Sequence, residues 1–254
     1  MDLQLAGLRA LVTGGTRGIG RAIAETLLAE GASVAFCARD PRGVTAAEAE
    51  LTEASGQSVV GTSLDVANAA ALSTWVSESA QRLGGIDIVV ANVSAMESAD
   101  TEEIWARCVE VDLMGTVRLV QAALPHLEQS KAASIITLSS VSGREIDAFE
   151  GPYGAVKAAV VHYTQGIARR LAPSGIRANT VSPGNTFFEG GSWAAHQRNT
   201  PEFFQASLDL IPAGRMGTAQ EMANAVVFLA SPASSFTSGA NLVVDGALTR
   251  GVQL

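Results

Sequence analysis

Tyr153-Gly154-Ala155-Val156-Lys157 sets a phenol and an ammonium four residues apart. On a helix this spacing puts both side chains on one face, with Cβ atoms roughly 5–6 Å apart. The chain has 2 tyrosines, and its lysines are Lys131 and Lys157, so chance rarely supplies such a pair. A cation ~4 Å from a phenol, at an effective dielectric of ~20, stabilises the phenolate by at most ~4 kcal/mol. A tyrosine so placed can exchange a proton with an alcohol or a ketone. The same spacing also fits a plain helix-surface pair, so context decides. Ser139-Ser140-Val141-Ser142-Gly143 follows the strand-like run 134–138, with Ser140 close enough in sequence to converge with Tyr153 over one pocket. A hydroxyl there can hold a substrate oxygen while Tyr153 moves the proton. On spacing alone, Ser139 and Ser142 remain open for that role.

A second constellation is Thr13-Gly14-Gly15-Thr16-Arg17-Gly18-Ile19-Gly20, between the first strand-like run and the first helical one. Glycines allow the backbone angles of a tight turn and the close approach of a ligand. The free N–H groups at a helix start then face an anion, most naturally a pyrophosphate. The spacing is G-x-x-x-G-x-G rather than G-x-G-x-x-G. Its place directly after the first strand matters, because dinucleotides sit at the carboxyl ends of such sheets. An acidic residue about 20 positions further on would bind the adenosine ribose. Here the second strand ends Cys37-Ala38-Arg39-Asp40, so the acidic slot holds Ala38, with Arg39 beside it and Arg17 nearby. Two guanidiniums favour a 2′-phosphate, hence NADP. Asp40, one residue on, is the alternative ribose ligand that keeps NAD possible.

These groups need a scaffold. Strand-like runs at 10–13, 33–37, 59–63, 86–91, 134–138, 177–181 and 241–244 alternate with helical stretches at 19–30, 43–55, 68–83, 101–128, 152–172 and 219–230. Near-continuous apolar strands alternating with helices predict an α/β fold: a doubly wound, Rossmann-type parallel sheet of about seven strands with helices on both faces. No linker or repeat interrupts the 254 residues, which read as one domain over 1–254. Segment 185–211 stands apart, holding Phe187, Phe188, Trp193, Phe203, Phe204, Gly190 and Gly191. It is too long for an ordinary connection, so it reads as a substrate lid hinged near Gly190-Gly191; a structural helical hairpin is the other reading. Its chargeable side chains before Glu202 are Glu189, His196 and Arg198. The expected substrate is therefore a bulky, largely apolar or aromatic ketone or secondary alcohol. Helix 152–172 has only Lys157, Arg169 and Arg170 as charged residues, with apolar residues all round, which predicts a homodimer or homotetramer.

Composition narrows the partners. A net charge of −8 carries no electrostatic footprint for nucleic acid or an anionic membrane. Cys37 and Cys108 lack metal-ligand spacing and form no disulfide framework, and no metal is expected. The start lacks a basic signal region, and no apolar run approaches the ~18 residues of a membrane span, so a cytoplasmic protein is expected.

With the glycine turn, Ser140 and Tyr153-x-x-x-Lys157 in this order, the sequence resembles the short-chain dehydrogenase/reductase family over essentially its whole length. The likeness is to its soluble branch of 3-oxoacyl-carrier-protein reductase-like ketoreductases. Leu64-Asp65-Val66, Ser182-Pro183-Gly184, Gly214-Arg215-Met216-Gly217 and Val243-Val244-Asp245-Gly246 extend it. The resemblance implies that Ser140 orients the substrate oxygen and that Tyr153 is the acid/base. Lys157 binds the nicotinamide ribose and favours the phenolate. It places Asp65 and Val66 beside the adenine, and Asn92, Pro183, Gly184 and Thr186 beside the nicotinamide. Three positions depart from the family pattern. Ala91-Asn92-Val93-Ser94 replaces Asn-Asn-Ala-Gly; Asp112 replaces the Asn of the proton relay, adding negative charge near Lys157; Phe188 replaces a Thr. The implied activity is NADP-dependent hydride transfer between nicotinamide C4 and a carbonyl or carbinol carbon. Reduction of 3-oxoacyl groups on acyl carrier protein is the alternative. The net charge of −8 weighs against that acidic partner unless Arg169-Arg170 forms a landing patch. A non-catalytic cofactor-binding scaffold or sensor is a third reading.

Overall fold

Alternation along the central strands divides the interior in two. In β1 (Arg9–Thr13), Ala10 and Val12 point to one face of the sheet and Leu11 to the other, as a strand's two-residue period requires. The same split runs through β2 (Ser33–Ala38), β4 (Ile88–Ala91) and β5 (Ser134–Leu138). One face packs against α1 (Gly18–Ala29), α2 (Pro41–Ser55) and α9 (Ala219–Ala230) through Ile23, Leu27, Leu51, Val226 and Val227. The other packs against α3 (Ala69–Leu83), α5 (Gly115–Leu127) and α6 (Pro152–Leu171) through Leu72, Trp75, Leu119, Ile167 and Leu171. With β3 (Val59–Ser63), β6 (Arg177–Pro183) and β9 (Asn241–Val244), the strands lie in the order β3-β2-β1-β4-β5-β6-β9, all parallel. This is the doubly wound sheet the sequence predicts. The computed structural model describes residues 1–146 and 151–251. Among these, no helix is long and apolar enough to cross a membrane.

Three expectations change. The helix expected over 101–128 is interrupted: α4 (Glu102–Cys108) passes into wider π-helical turns at Val109–Met114 before α5 begins. Periodicity over so long a window does not register a local widening from i→i+4 to i→i+5 hydrogen bonding, and π segments of this kind gather at functional sites. Segment 185–211 is mainly α7 (Ser192–Asn199) and α8 (Pro201–Asp209), flanked by a short parallel ribbon of β7 (Thr186–Phe187) with β8 (Gly217–Thr218). Much of its aromatic content builds a satellite core: Trp193, Ile211 and Met216 gather Phe187, Phe203 and Phe204 around them, with Trp193 stacked 5.8 Å from Phe203. Finally, α6 is not apolar all round. Its solvent face carries Ala155, Ala158, His162, Gln165 and Arg169, small or polar, while Val156, Val160, Ile167 and Leu171 face inward.

Beneath the sheet, at its amino-terminal edge, Arg9 and Asp87 join β1 to the segment leading into β4. The Asp87 carboxylate accepts from Arg9 Nε at 2.7 Å, from the Arg9 backbone N–H at 2.9 Å and from Ser130 Oγ at 2.6 Å. Burial alone would raise the Asp87 pKa, but these bonds outweigh it and hold the carboxyl below its ordinary value. Arg9→Met leaves that carboxylate without its cation and should cost about 2–3 kcal/mol, less than a fully buried pair because Arg9 is 29 % exposed. A carboxyl depressed by folding stabilises fully above its unfolded value, near ~4, and loses that contribution as pH falls through the folded value. Urea melts of wild type and R9M should therefore differ most at neutral pH and converge under acid.

Candidate active site

All parallel strands end at one edge, and there a cavity of about 1010 Å³ runs across the carboxyl ends of β1, β2, β4, β5 and β6. Gly14, Thr16, Arg17, Ile19 and Gly20 line one part of it. At Gly20 a β-carbon would come 2.2 Å from the Gly14 carbonyl oxygen, so no other residue fits that turn. No side chain caps the start of α1, whereas Asp40, Asn68, Thr101 and Thr218 cap α2, α3, α4 and α9. The first amides of α1 are thus left for an anion. Gly18 differs from its neighbours in the turn: it lies under the Phe188 ring, whose Cζ would be 2.5 Å from a β-carbon there.

Arg39 and Arg17 both line the cavity. Asp40, the alternative ribose ligand, is occupied, because its carboxylate accepts from the Arg42 and Gly43 backbone N–H groups at 3.2 Å as the cap of α2. The adenosine end therefore offers cations rather than a free carboxylate, which fits a 2′-phosphate. Arg17 Nη1 also donates to the Gly190 carbonyl, 3.3 Å away, tying the turn to segment 185–211. Asp65, Val66, Asn92, Pro183, Gly184 and Thr186 all line the same cavity. Asn92 has a second job. Its Nδ2 donates to the Thr13 carbonyl and its N–H to Thr13 Oγ1, both at 2.9 Å, pinning the ends of β1 and β4 together. The described residues that line this cavity therefore fit a phosphorylated dinucleotide.

Ser140, Tyr153 and Lys157 meet at the other end. Among the three serines left open by spacing, Ser139 is spoken for: its Oγ donates to the Lys157 carbonyl at 2.8 Å, a bond buried beneath the cleft. Ser140 Oγ donates to Ser142 Oγ at 3.2 Å, and both residues face the cavity. Lys157 is 3 % exposed, with Nζ donating to the Leu138 carbonyl at 3.1 Å and lying 5.7 Å from the centre of the Tyr153 ring. Asp112, placed by the π-helical turns and 2 % exposed, brings Oδ1 to 3.0 Å from that ammonium. Its Oδ2 accepts the Ala95 backbone N–H at 2.8 Å. Burial by itself would lower the Lys157 pKa, but the charge and hydrogen bond of Asp112, together with the charges of Tyr153 and Cys108, outweigh it and the net shift is upward. The negative charge that the resemblance implies near Lys157 is thus in direct contact with it, and the cation beside Tyr153 is half of an ion pair.

Glu97, Ser98 and Arg107 also line this end, from the segment after β4 and from α4, and Trp193 and His196 line it from α7. Sequence reasoning missed Glu97 and Arg107. They share no motif or short spacing with Ser140, Tyr153 and Lys157, and only the packing of α4 beside α6 brings them near. Of the aromatics in 185–211, Phe188 and Trp193 reach the cavity, whereas Phe187, Phe203 and Phe204 belong to the satellite core.

A family model described as enoyl-(acyl carrier protein) reductase matches residues 14–249. Isoepoxydon dehydrogenase of Penicillium expansum is 42% identical over 254 residues, covering 98% of this chain and 97% of that protein. The 3-oxoacyl-(acyl-carrier-protein) reductase of Vibrio harveyi is 35% identical over 252 residues, covering 97% and 99%. The crystal structure of L-sorbose reductase from Gluconobacter frateurii, complexed with NADPH and L-sorbose, aligns with a TM-score of 0.93 at 27% identity, covering 99% of this chain and 100% of that one.

With Asp40 engaged as a cap, Arg39→Ala should raise KM for NADPH at least tenfold and leave KM for NADH nearly unchanged, since a hydrogen bond to a charged group is worth roughly 1.5–3 kcal/mol. Steady-state kinetics with both cofactors check this; equal effects would return Asp40 to the role of ribose ligand.

Proposed function

We propose, for a chain that belongs to the short-chain dehydrogenase/reductase family, that it interconverts a ketone and its secondary alcohol with Tyr153 as acid/base. It is an NADP-dependent oxidoreductase. The observation that carries the reading is the convergence of Ser140, Tyr153 and the buried Lys157–Asp112 pair at one end of a cleft whose other end presents Arg17 and Arg39. The glycine turn, Arg17, Arg39, Asp65, Val66, Asn92, Pro183, Gly184 and Thr186 would hold the cofactor, which when bound supplies or takes the hydride at nicotinamide C4. In reduction, Tyr153 Oη gives its proton to the carbonyl oxygen as the carbon gains hydride; in oxidation it takes the proton back. Ser140 Oγ holds the same oxygen in place. Lys157, kept charged by Asp112, stabilises the phenolate that remains on Tyr153 and presents N–H donors toward the ribose.

The largely apolar substrate read from segment 185–211 retains support on one wall, where Trp193 and Phe188 stand. Phe188, however, spends its ring on Gly18 and Gly191, and so closes the segment over the phosphate turn more than it shapes a substrate pocket. We propose residues 185–211 as the lid, latched to that turn by Phe188 and by the Arg17–Gly190 bond.

Acyl-carrier-protein reduction is favoured by the likeness to the Vibrio harveyi enzyme. The basic pair Arg169-Arg170 weighs against it. It is exposed but sits at the far end of α6, which at ~1.5 Å per residue puts it roughly 25 Å from Tyr153. For assembly, the proposal remains a homodimer or homotetramer through the small-residue face of α6, and light scattering at micromolar concentration should give a multiple of 26.1 kDa.

Purified protein should oxidise NADPH in the presence of bulky ketones faster than with acetoacetyl thioesters. Tyr153→Phe should remove at least nine-tenths of kcat while the NADPH dissociation constant stays within about threefold, because only the transferable proton is lost. A variant that keeps more than a tenth of kcat takes Tyr153 out of the acid/base role.

A further inference from the structure

The segment that follows β4 turns sharply at Met96, a non-glycine residue with φ +55°, whose N–H donates to Ser94 Oγ at 3.1 Å. On either side of this turn the backbone is anchored. The Ala95 N–H is held by Asp112 at 2.8 Å, and the Glu97 carbonyl accepts the Cys108 thiol at 3.4 Å. Asp112 is also the partner of Lys157, so one carboxylate sets both the catalytic lysine and the residue two before Glu97. Further along, the Ser98 carbonyl approaches Gly151 so closely that a β-carbon there would lie 3.0 Å away, and Gly151 is two residues before Tyr153. Glu97 is thereby positioned against the catalytic end of the cleft from two directions.

Across from it, Arg107 on α4 sets Nε 3.0 Å from Glu97 Oε1. A guanidinium has five N–H donors, and the terminal ones of Arg107 have no hydrogen-bond partner among the described residues. The pair is open to the cavity: the side chains of Arg107 and Glu97 are 51% and 28% exposed, and both residues line it. On the lid wall, His196 lines the same space with Nδ1 engaged by Thr200 Oγ1 at 2.9 Å, which leaves Nε2 as the other polar atom of the ring. A purely apolar ketone would leave these groups unmatched, whereas a hydroxyl group can donate to the carboxylate and accept from the guanidinium at once.

We infer that Glu97 and Arg107 form a recognition site for a hydroxyl substituent of the substrate, so that the substrate class is a hydroxylated ketone rather than a wholly apolar one. This rests on the ketone reading proposed above and adds the groups that choose among ketones. Both residues are specificity determinants. They bind the substituent and take no part in moving the proton or the hydride.

The test is steady-state reduction of cyclohexanone and 4-hydroxycyclohexanone at saturating NADPH by wild type, Glu97→Gln and Arg107→Met. Wild type should prefer the hydroxylated ketone at least tenfold in kcat/KM. Each variant should erase most of that preference through KM, with kcat within about threefold and the cyclohexanone KM unchanged. If both ketones lose affinity together, the pair merely holds its loop, and if neither does, it binds no substituent; either result overturns the inference while ketone reduction stands. If wild type turns over neither ketone while binding NADPH, the ketone reading fails and this inference falls with it. Both side chains are partly exposed, so neither substitution should unfold the chain, and Glu97→Gln keeps the original shape.

Discussion

A lysine and an aspartate, each almost wholly cut off from water, face one another at 3.0 Å, and the end of the cleft proposed as catalytic is arranged around them. Burying either charge alone would cost several kcal/mol, so each requires the other. The pair does more than neutralise itself. The Asp112 carboxylate faces positive groups on both sides, the Lys157 ammonium as an ion pair on one oxygen and the Ala95 N–H as a hydrogen-bond donor on the other. An asparagine in this orientation would turn its own N–H group against one of them. That gives a physical reason for a carboxylate where the family pattern has an amide. It also means that the lysine, the turn after β4 and the π-helical segment are held as one unit.

Geometry of the sheet explains why such a unit can meet a dinucleotide. Parallel strands all end at the same edge, so the glycine turn after β1, Arg39 after β2, Asn92 after β4, Ser140 after β5 and Gly184 after β6 gather there, although they are scattered along the chain. The crossover helices cover both faces and leave that edge open. Uncapped at its start, α1 supplies amides, and the two arginines supply charge at the end where a 2′-phosphate would lie.

Segment 185–211 has two physical roles. Its satellite core of Trp193, Phe203, Phe204 and neighbours gives it internal stiffness, so it is a small packed body and not a loose loop. Its contacts with the phosphate turn are few and local: the Phe188 ring over Gly18 and one hydrogen bond from Arg17.

Much of this protein is legible in its residues alone. The strand and helix sequence follows from apolar periodicity, because a parallel sheet buried on both faces imposes continuous apolar strands. The glycine turn and Tyr153-x-x-x-Lys157 are short-range patterns whose spacing already states their geometry, whereas spacing leaves Ser139, Ser140 and Ser142 open. Packing decided the rest. That Asp40 caps a helix, that Ser139 is consumed by the Lys157 carbonyl and that Asp112 reaches Lys157 through a π-helical stretch depend on which donor lies opposite each acceptor in space. The same holds for Glu97 and Arg107, which meet across a gap between two elements, and for the aromatics of 185–211, which divide between the satellite core and the cleft. Local spacing determines a side chain's direction within its own element; which partner it finds is a property of how the elements are docked.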